Sequence, residues 1–225
     1  MIMTDTVQKD TAQSPKKVYL KDYTPPVYAV DKVDLDIRLF DDHAVVGAKL
    51  KMTRAHAGEL RLLGRDLKLK SIHLNGQELE AQAYHLDKEG LTILDAPDVA
   101  VIETLVEISP QTNTTLEGLY QAGTGDDKMF VTQCEPEGFR KITFFPDRPD
   151  VLTEYTTRLE APKHFKTLLA NGNLVESGDV DENRHYTIWH DPTKKPSYLF
   201  AAVIANLEVL QDHYTTIEGR EVLLE

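Results

Sequence analysis

Val33-Asp34-Leu35-Asp36-Ile37-Arg38-Leu39 and Val46-Gly47-Ala48-Lys49-Leu50-Lys51-Met52 decide the fold class. In both runs every second residue is apolar, the period of a strand with one buried face. Asp41-Asp42-His43 separates them, so they read as a long hairpin. Further along, Leu67 and Leu69 share one phase while Ile72 and Leu74 share the other, and the slip near Ser71 predicts a β-bulge. Asn75-Gly76 predicts a tight hairpin turn, because a type I′ turn needs positive φ at both central positions. Lys88-Glu89-Gly90, Asn171-Gly172-Asn173 and Glu218-Gly219-Arg220 read as further turns. Strands are expected at Val99–Ile108, Met129–Cys134, Val151–Leu159, Leu168–Ala170, His185–Trp189 and Tyr198–Val209. No long stretch carries a clean 3.6-residue period, and no internal repeat or low-complexity segment is present. The pattern predicts a mainly β protein, a β-sandwich or a set of packed sheets.

Composition bounds the function. The chain has 225 residues and a net charge of -12, with 41% hydrophobic and 28% charged residues, as in ordinary globular proteins. That acidity argues against a nucleic-acid backbone or an anionic membrane as partner, since both attract a basic face. A single cysteine, Cys134, rules out an intrachain disulfide and fits a reducing compartment. No run approaches the roughly 20 apolar residues of a membrane helix, and the polar start of the chain lacks the apolar core of a signal peptide. The expectation is a cytoplasmic protein. Residues 1–16 read as a disordered polar tail and residues 17–225 as one β-domain. Glu221–Glu225 looks like a strand cut off in progress, which suggests an excised fragment with an apolar patch near Glu135 and the C-terminal end.

The chemistry-bearing residues are sparse. The eight histidines form neither H-E-x-x-H nor an i, i+4 pair. His185 and His190, five apart in an expected strand and turn, point to opposite faces, and Cys134 alone cannot anchor a zinc site. No G-x-S-x-G is present, and Cys134 beside Glu135 reads as a buried, inert thiol. Gly123-Thr124-Gly125 is followed by Asp126-Asp127, which repels phosphate. Glu135 follows the apolar run Met129-Phe130-Val131 and precedes Pro136, which pins the chain, so it lies at a rigid strand exit. A carboxylate there can hold an ammonium group. It can equally be a solvated strand-end glutamate paired with Arg140 or Arg148, and spacing alone favours that reading. Asp147-Arg148-Pro149-Asp150 reads as a capped turn.

Several ordered stretches carry a resemblance. They are Asp22-Tyr23-Thr24-Pro25-Pro26-Val27-Tyr28, Asn113-Thr114-Thr115-Leu116-Glu117-Gly118-Leu119-Tyr120, Thr132-Gln133-Cys134-Glu135-Pro136-Glu137-Gly138-Phe139-Arg140, Asp147–Asp150, Asn171–Asn173, and Asp191-Pro192 through Pro196-Ser197-Tyr198-Leu199-Phe200. From about residue 17 onward the chain resembles the N-terminal domain of the bacterial aminopeptidase N family, zinc aminopeptidases of the gluzincin class. The resemblance implies an extended, saddle-like β-sandwich of packed, mostly antiparallel sheets, docked on a thermolysin-like catalytic domain. That domain would carry G-x-M-E-N and H-E-x-x-H with a downstream glutamate, so the zinc of the intact enzyme is bound outside this chain. By the same resemblance Glu135 grips the α-amino group of a peptide substrate and Gln133 lines the pocket for its first side chain. The fragment itself would hold no metal and be inactive alone. Two departures stand out. The loop Gly123–Lys128 looks longer than the family pattern and could reshape the pocket rim, and Phe144-Phe145-Pro146 reads as a packing variation. Two other functions remain open: a non-catalytic β-sandwich interaction module, and a superfamily relative that opens a lipid epoxide.

Overall fold

The computed structural model describes residue 17 and residues 19–224, so the expected polar tail lies outside the described residues. Seventeen strands are present among the described residues. They are β1 (Tyr28–Leu39), β2 (Ala44–Arg54), β3 (Leu60–Leu63), β4 (Lys68–Leu74), β5 (Gln77–Glu78), β6 (Tyr84–Asp87), β7 (Gly90–Ile93), β8 (Val99–Ile108), β9 (Gly118–Ala122), β10 (Met129–Gln133), β11 (Leu152–Pro162), β12 (Thr167–Ala170), β13 (Asn173–Asp179), β14 (Arg184–Pro196), β15 (Ala202–Ala205), β16 (Asp212–Thr215) and β17 (Glu221–Leu224). The helical elements among the described residues are short 3₁₀ turns, such as Phe139–Lys141 and Ser197–Leu199.

The long hairpin forms as its alternation dictates. β1 and β2 pair antiparallel from Tyr28–Arg54 to Leu39–Ala44. Val33, Leu35, Ile37 and Leu39 are buried on one side, with Val46, Ala48, Leu50 and Met52. Upstream, Tyr28 and Val30 are also buried, which the odd-numbered phase does not allow. A register shift between Val30 and Lys32 reverses the phase there and keeps both residues in the core. The slip near Ser71 is a second such shift, between Leu69 and Ser71. Asn75 and Gly76 take φ of 52° and 82°, the positive pair the turn requires.

The hairpin is the middle of an eight-stranded sheet ordered β13-β14-β11-β1-β2-β8-β4-β5. Every pairing in it is antiparallel except β1 with β11, where Lys32–Arg38 lies parallel to Glu154–Glu160. A three-stranded sheet, β3-β7-β6, and a four-stranded sheet, β12-β15-β10-β9, contribute to the same core. Leu60, Leu62, Leu91 and Ile93 come from the first, and Leu119, Phe130, Leu168 and Ile204 from the second. β16 and β17 form a separate hairpin whose residues are exposed or half-buried.

One expected strand is much shorter. Of Tyr198–Val209 only Ala202–Ala205 is extended in a sheet. β15 sits between β12 and β10, and those short strands give nothing for a longer strand to pair with. Upstream, Ser197–Leu199 is a 3₁₀ turn that sends Phe200 into the core; downstream, the Asn206 side chain accepts a bond from the Lys166 backbone N–H.

Candidate functional site

β10 delivers the site. Its last residue, Gln133, pairs with Gly118 at the start of β9. Beyond it the chain turns back at once, and the Gly138 N–H donates to the Cys134 carbonyl at 3.1 Å. Only glycine fits at that closure: a Cβ on Gly138 would stand 2.2 Å from the Gln133 carbonyl oxygen. Gly118 faces a similar constraint, with φ of 72° and the Lys141 Cβ 2.8 Å from any added Cβ. The stretch before it is tied in place. Asn113 Nδ2 donates to the carbonyls of Glu117 and Leu119 at 2.8 and 3.0 Å, and Lys141 Nζ lies 3.1 Å from Glu117 Oε2. The segments Asn113–Tyr120 and Thr132–Arg140 therefore build one rigid corner.

The turn rests on an aromatic cluster. Phe139 is fully buried, with its ring edge-on to those of Phe145, Phe200 and Tyr155 at 5.0, 5.2 and 6.0 Å. Phe144 and Phe145 are thus packing residues, as expected. Cys134 is buried beneath the turn, and desolvation, then the charge of Asp147, pushes its thiol far above the usual range. The added negative charge comes from Asp147 rather than from Glu135.

Gln133 and Glu135 both emerge into solvent on this corner. Gln133 Nε2 lies 3.4 Å from the Glu135 backbone carbonyl, so the structure brings the two residues together. The expected partners of Glu135 are committed elsewhere. Arg140 binds Asp147 and Glu137, and Arg148 binds both carboxylate oxygens of Asp150 at 2.8 and 2.6 Å. Each is drawn off by a nearer acceptor in its own turn. Among the described residues no cation pairs with the Glu135 carboxylate.

Asp147–Asp150 is more than a capped turn. Asp147 is buried, accepting from the Arg140 backbone N–H, its Nε and the Ser197 hydroxyl. Tyr23 donates its hydroxyl to Asp150 at 2.9 Å, and Arg148 donates to the Thr24 carbonyl at 2.7 Å. Hydrogen bonding to Arg148 holds the Asp150 carboxyl below its ordinary range. No spacing rule in the sequence signals that this aspartate is buried, since its partners lie 7 and 50 positions away.

The loop Gly123–Lys128 joins β9 to β10 at the far end of their hairpin, where Ala122 pairs with Met129, away from Gln133. It is therefore not part of the rim beside Glu135. His185 and His190 are separately engaged: His185 Nε2 donates to the Phe165 carbonyl, and His190 Nδ1 lies 3.3 Å from Thr156 Oγ1. Among the described residues no three His, Cys, Asp or Glu side chains gather as a metal site. These residues do not fit a zinc ion.

Residues 29–199 match the Peptidase M1 N-terminal domain. The chain is 47% identical over 213 residues to aminopeptidase N of Caulobacter vibrioides, covering 94% of this chain and 24% of the relative. It is 43% identical over 216 residues to aminopeptidase N of Escherichia coli, covering 95% and 24%. The chain thus spans about a quarter of the length of the curated relatives it matches. Among solved structures, Legionella pneumophila aminopeptidase A in complex with aspartic acid superposes with a TM-score of 0.83 at 34% identity, over 91% of this chain and 24% of that one. An M1 zinc metallopeptidase from Deinococcus radiodurans shares the fold, with a TM-score of 0.67 at 13% identity over 87% and 46% of the two chains.

Proposed function

The chain belongs to the Peptidase M1 N-terminal domain family, and on that premise we propose that it is the substrate-recognition part of a zinc aminopeptidase, gripping a peptide's α-ammonium with Glu135. The observation that carries this reading is the state of the Glu135 carboxylate. It is exposed on a rigid corner and unpaired among the described residues, while Glu137, Asp147 and Asp150 around it each hold an arginine.

An exopeptidase must measure from the chain's end, and the ammonium group marks that end. A fixed carboxylate places the first peptide bond at a set distance from it. Internal peptide bonds carry no ammonium and leave the carboxylate without a partner, so they are rejected. A charge-assisted contact of this kind contributes about 1.5–3 kcal/mol, roughly tenfold to a hundredfold in kcat/KM. Gln133, beside it, lines the space for the first side chain. The relative from Legionella, described with aspartic acid bound, accepts a free amino acid and so a molecule with an α-ammonium, which supports the reading.

The zinc chemistry belongs to a catalytic partner domain. Exposed apolar side chains recur along the C-terminal stretch, at Leu207, Val209, Leu210, Ile217, Leu223 and Leu224, and support docking of that end against such a domain. Beside Glu135 the exposed Gln133 and Glu137 are polar, against the apolar patch expected there. Two assays test the proposal. The isolated chain should neither hydrolyse alanyl p-nitroanilide nor bind stoichiometric zinc. In the full-length enzyme, Glu135→Ala should lower kcat/KM for free-amine peptides. Hydrolysis by the isolated chain, or an unchanged kcat/KM, overturns it.

A further inference from the structure

We propose that Arg140 is a positioning residue that braces the Glu135 turn against a fixed anchor at Asp147; this rests on the reading of Glu135 as the amine-binding carboxylate. Arg140 does not pair with Glu135. Its guanidinium spans two other partners. Nε and Nη2 donate to the Asp147 carboxylate and backbone carbonyl, each at 3.0 Å, while Nη1 lies 2.8 Å from Glu137 Oε2. The anchor end is immobile, because Asp147 is buried and also takes the Ser197 hydroxyl. The other end holds the turn itself, since Glu137 lies between Glu135 and the closing Gly138.

The asymmetry of the two ends suggests the purpose. The Arg140 side chain is 8% exposed and that of Glu137 58%, so the outer contact adds little to stability. What it does is geometric. Without it the segment Glu135–Glu137 is held through its backbone closure and the long Gln133 contact to the Glu135 carbonyl, at 3.4 Å, and the carboxylate two residues away is less firmly fixed. A guanidinium presents a rigid fork of donors and can serve both partners at once, which a lysine ammonium on a flexible stem cannot. Displacing a binding group by about 1 Å is enough to cost up to a hundredfold in rate.

The test uses the full-length enzyme and two inhibitors, alanine hydroxamate and propionohydroxamate, the same molecule without its α-amine. The ratio of their inhibition constants reports the amine contact. Glu135→Ala should collapse that ratio by about tenfold to a hundredfold. Glu137→Ala, an exposed change that leaves Arg140 on Asp147 but removes the outer acceptor, should lower it about three- to tenfold, with the propionohydroxamate constant and the unfolding midpoint unchanged. A merely structural role would move the midpoint and not the ratio. If Glu135→Ala collapses the ratio while Glu137→Ala leaves it at the wild-type value, the brace is overturned and the reading of Glu135 stands. If Glu135→Ala leaves the ratio unchanged, the amine-binding reading fails and the brace fails with it.

Discussion

Arg140 Nε lies 3.0 Å from Asp147 Oδ2, with the two side chains 8% and 4% exposed. This pair joins Thr132–Arg140 to Asp147–Asp150 beneath the exposed corner. Removing Asp147 leaves the buried Arg140 guanidinium with only the exposed Glu137 as its ion-pair partner, so the cost lies at the lower end of the roughly 3–5 kcal/mol of a stranded buried charge. Asp147→Ala should therefore lower the unfolding free energy by that amount in urea titration, and it also deprives the Ser197 hydroxyl of its acceptor. A loss below about 1 kcal/mol, the range of an exposed pair, would show that the pair is not the anchor.

Gly138→Ala should be costly for a different reason. The new Cβ would meet the Gln133 carbonyl oxygen at 2.2 Å and the Cys134 Cα at 2.9 Å, both backbone atoms that cannot swing aside. Overpacking of this kind costs about 1–3 kcal/mol. Thermal unfolding should show the loss; an unchanged midpoint would mean that the turn closes less tightly than described.

Cys134 should be silent toward thiol reagents in the folded protein. It is buried, and desolvation raises its pKa, so the reactive thiolate is scarce at neutral pH. Titration with an aromatic disulfide should release no chromophore from the native chain and one equivalent in denaturant, matching its single cysteine. Rapid labelling of the native chain would contradict the burial.

Acid should weaken the fold partly through Glu107. Hydrogen bonds from Lys70 and Lys68 hold its carboxyl down from an ordinary 4.5 to about 2. A carboxyl whose folded pKa is depressed adds stability above its unfolded pKa and loses it as pH falls through the folded one. Glu107→Gln should thus be less stable than wild type at pH 7, and the gap should close as pH falls from about 4.5 towards 2. Unfolding midpoints measured down that range check it; a gap independent of pH would exclude the linkage.

How far the sequence reveals all this depends on how local each cause is. The β1–β2 hairpin is legible because its period-2 runs are adjacent and one-sided, and the Asn75–Gly76 turn because its residues demand positive φ. The parallel pairing of β1 with β11 is not legible, since it joins Lys32 to Glu154 and leaves no local mark. β13 is an edge strand whose exposed face has no apolar alternation to betray it. The over-long reading of Tyr198–Val209 failed because its alternation says nothing about the length of its partners. At the site, the position of Glu135 at a strand exit followed from Pro136, and Gln133 is found beside it. The arginine partners did not follow, because Arg140 chose Asp147 through a turn that only the folded chain forms.

The central claim is that the charge of Glu135 grips a substrate ammonium. Glu135→Gln keeps the shape of that side chain and removes its charge, so kcat/KM of the full-length variant for alanyl p-nitroanilide tests the claim most directly. The expected result is a fall of about tenfold to a hundredfold with an unchanged unfolding midpoint. A kcat/KM equal to that of the wild type would contradict it.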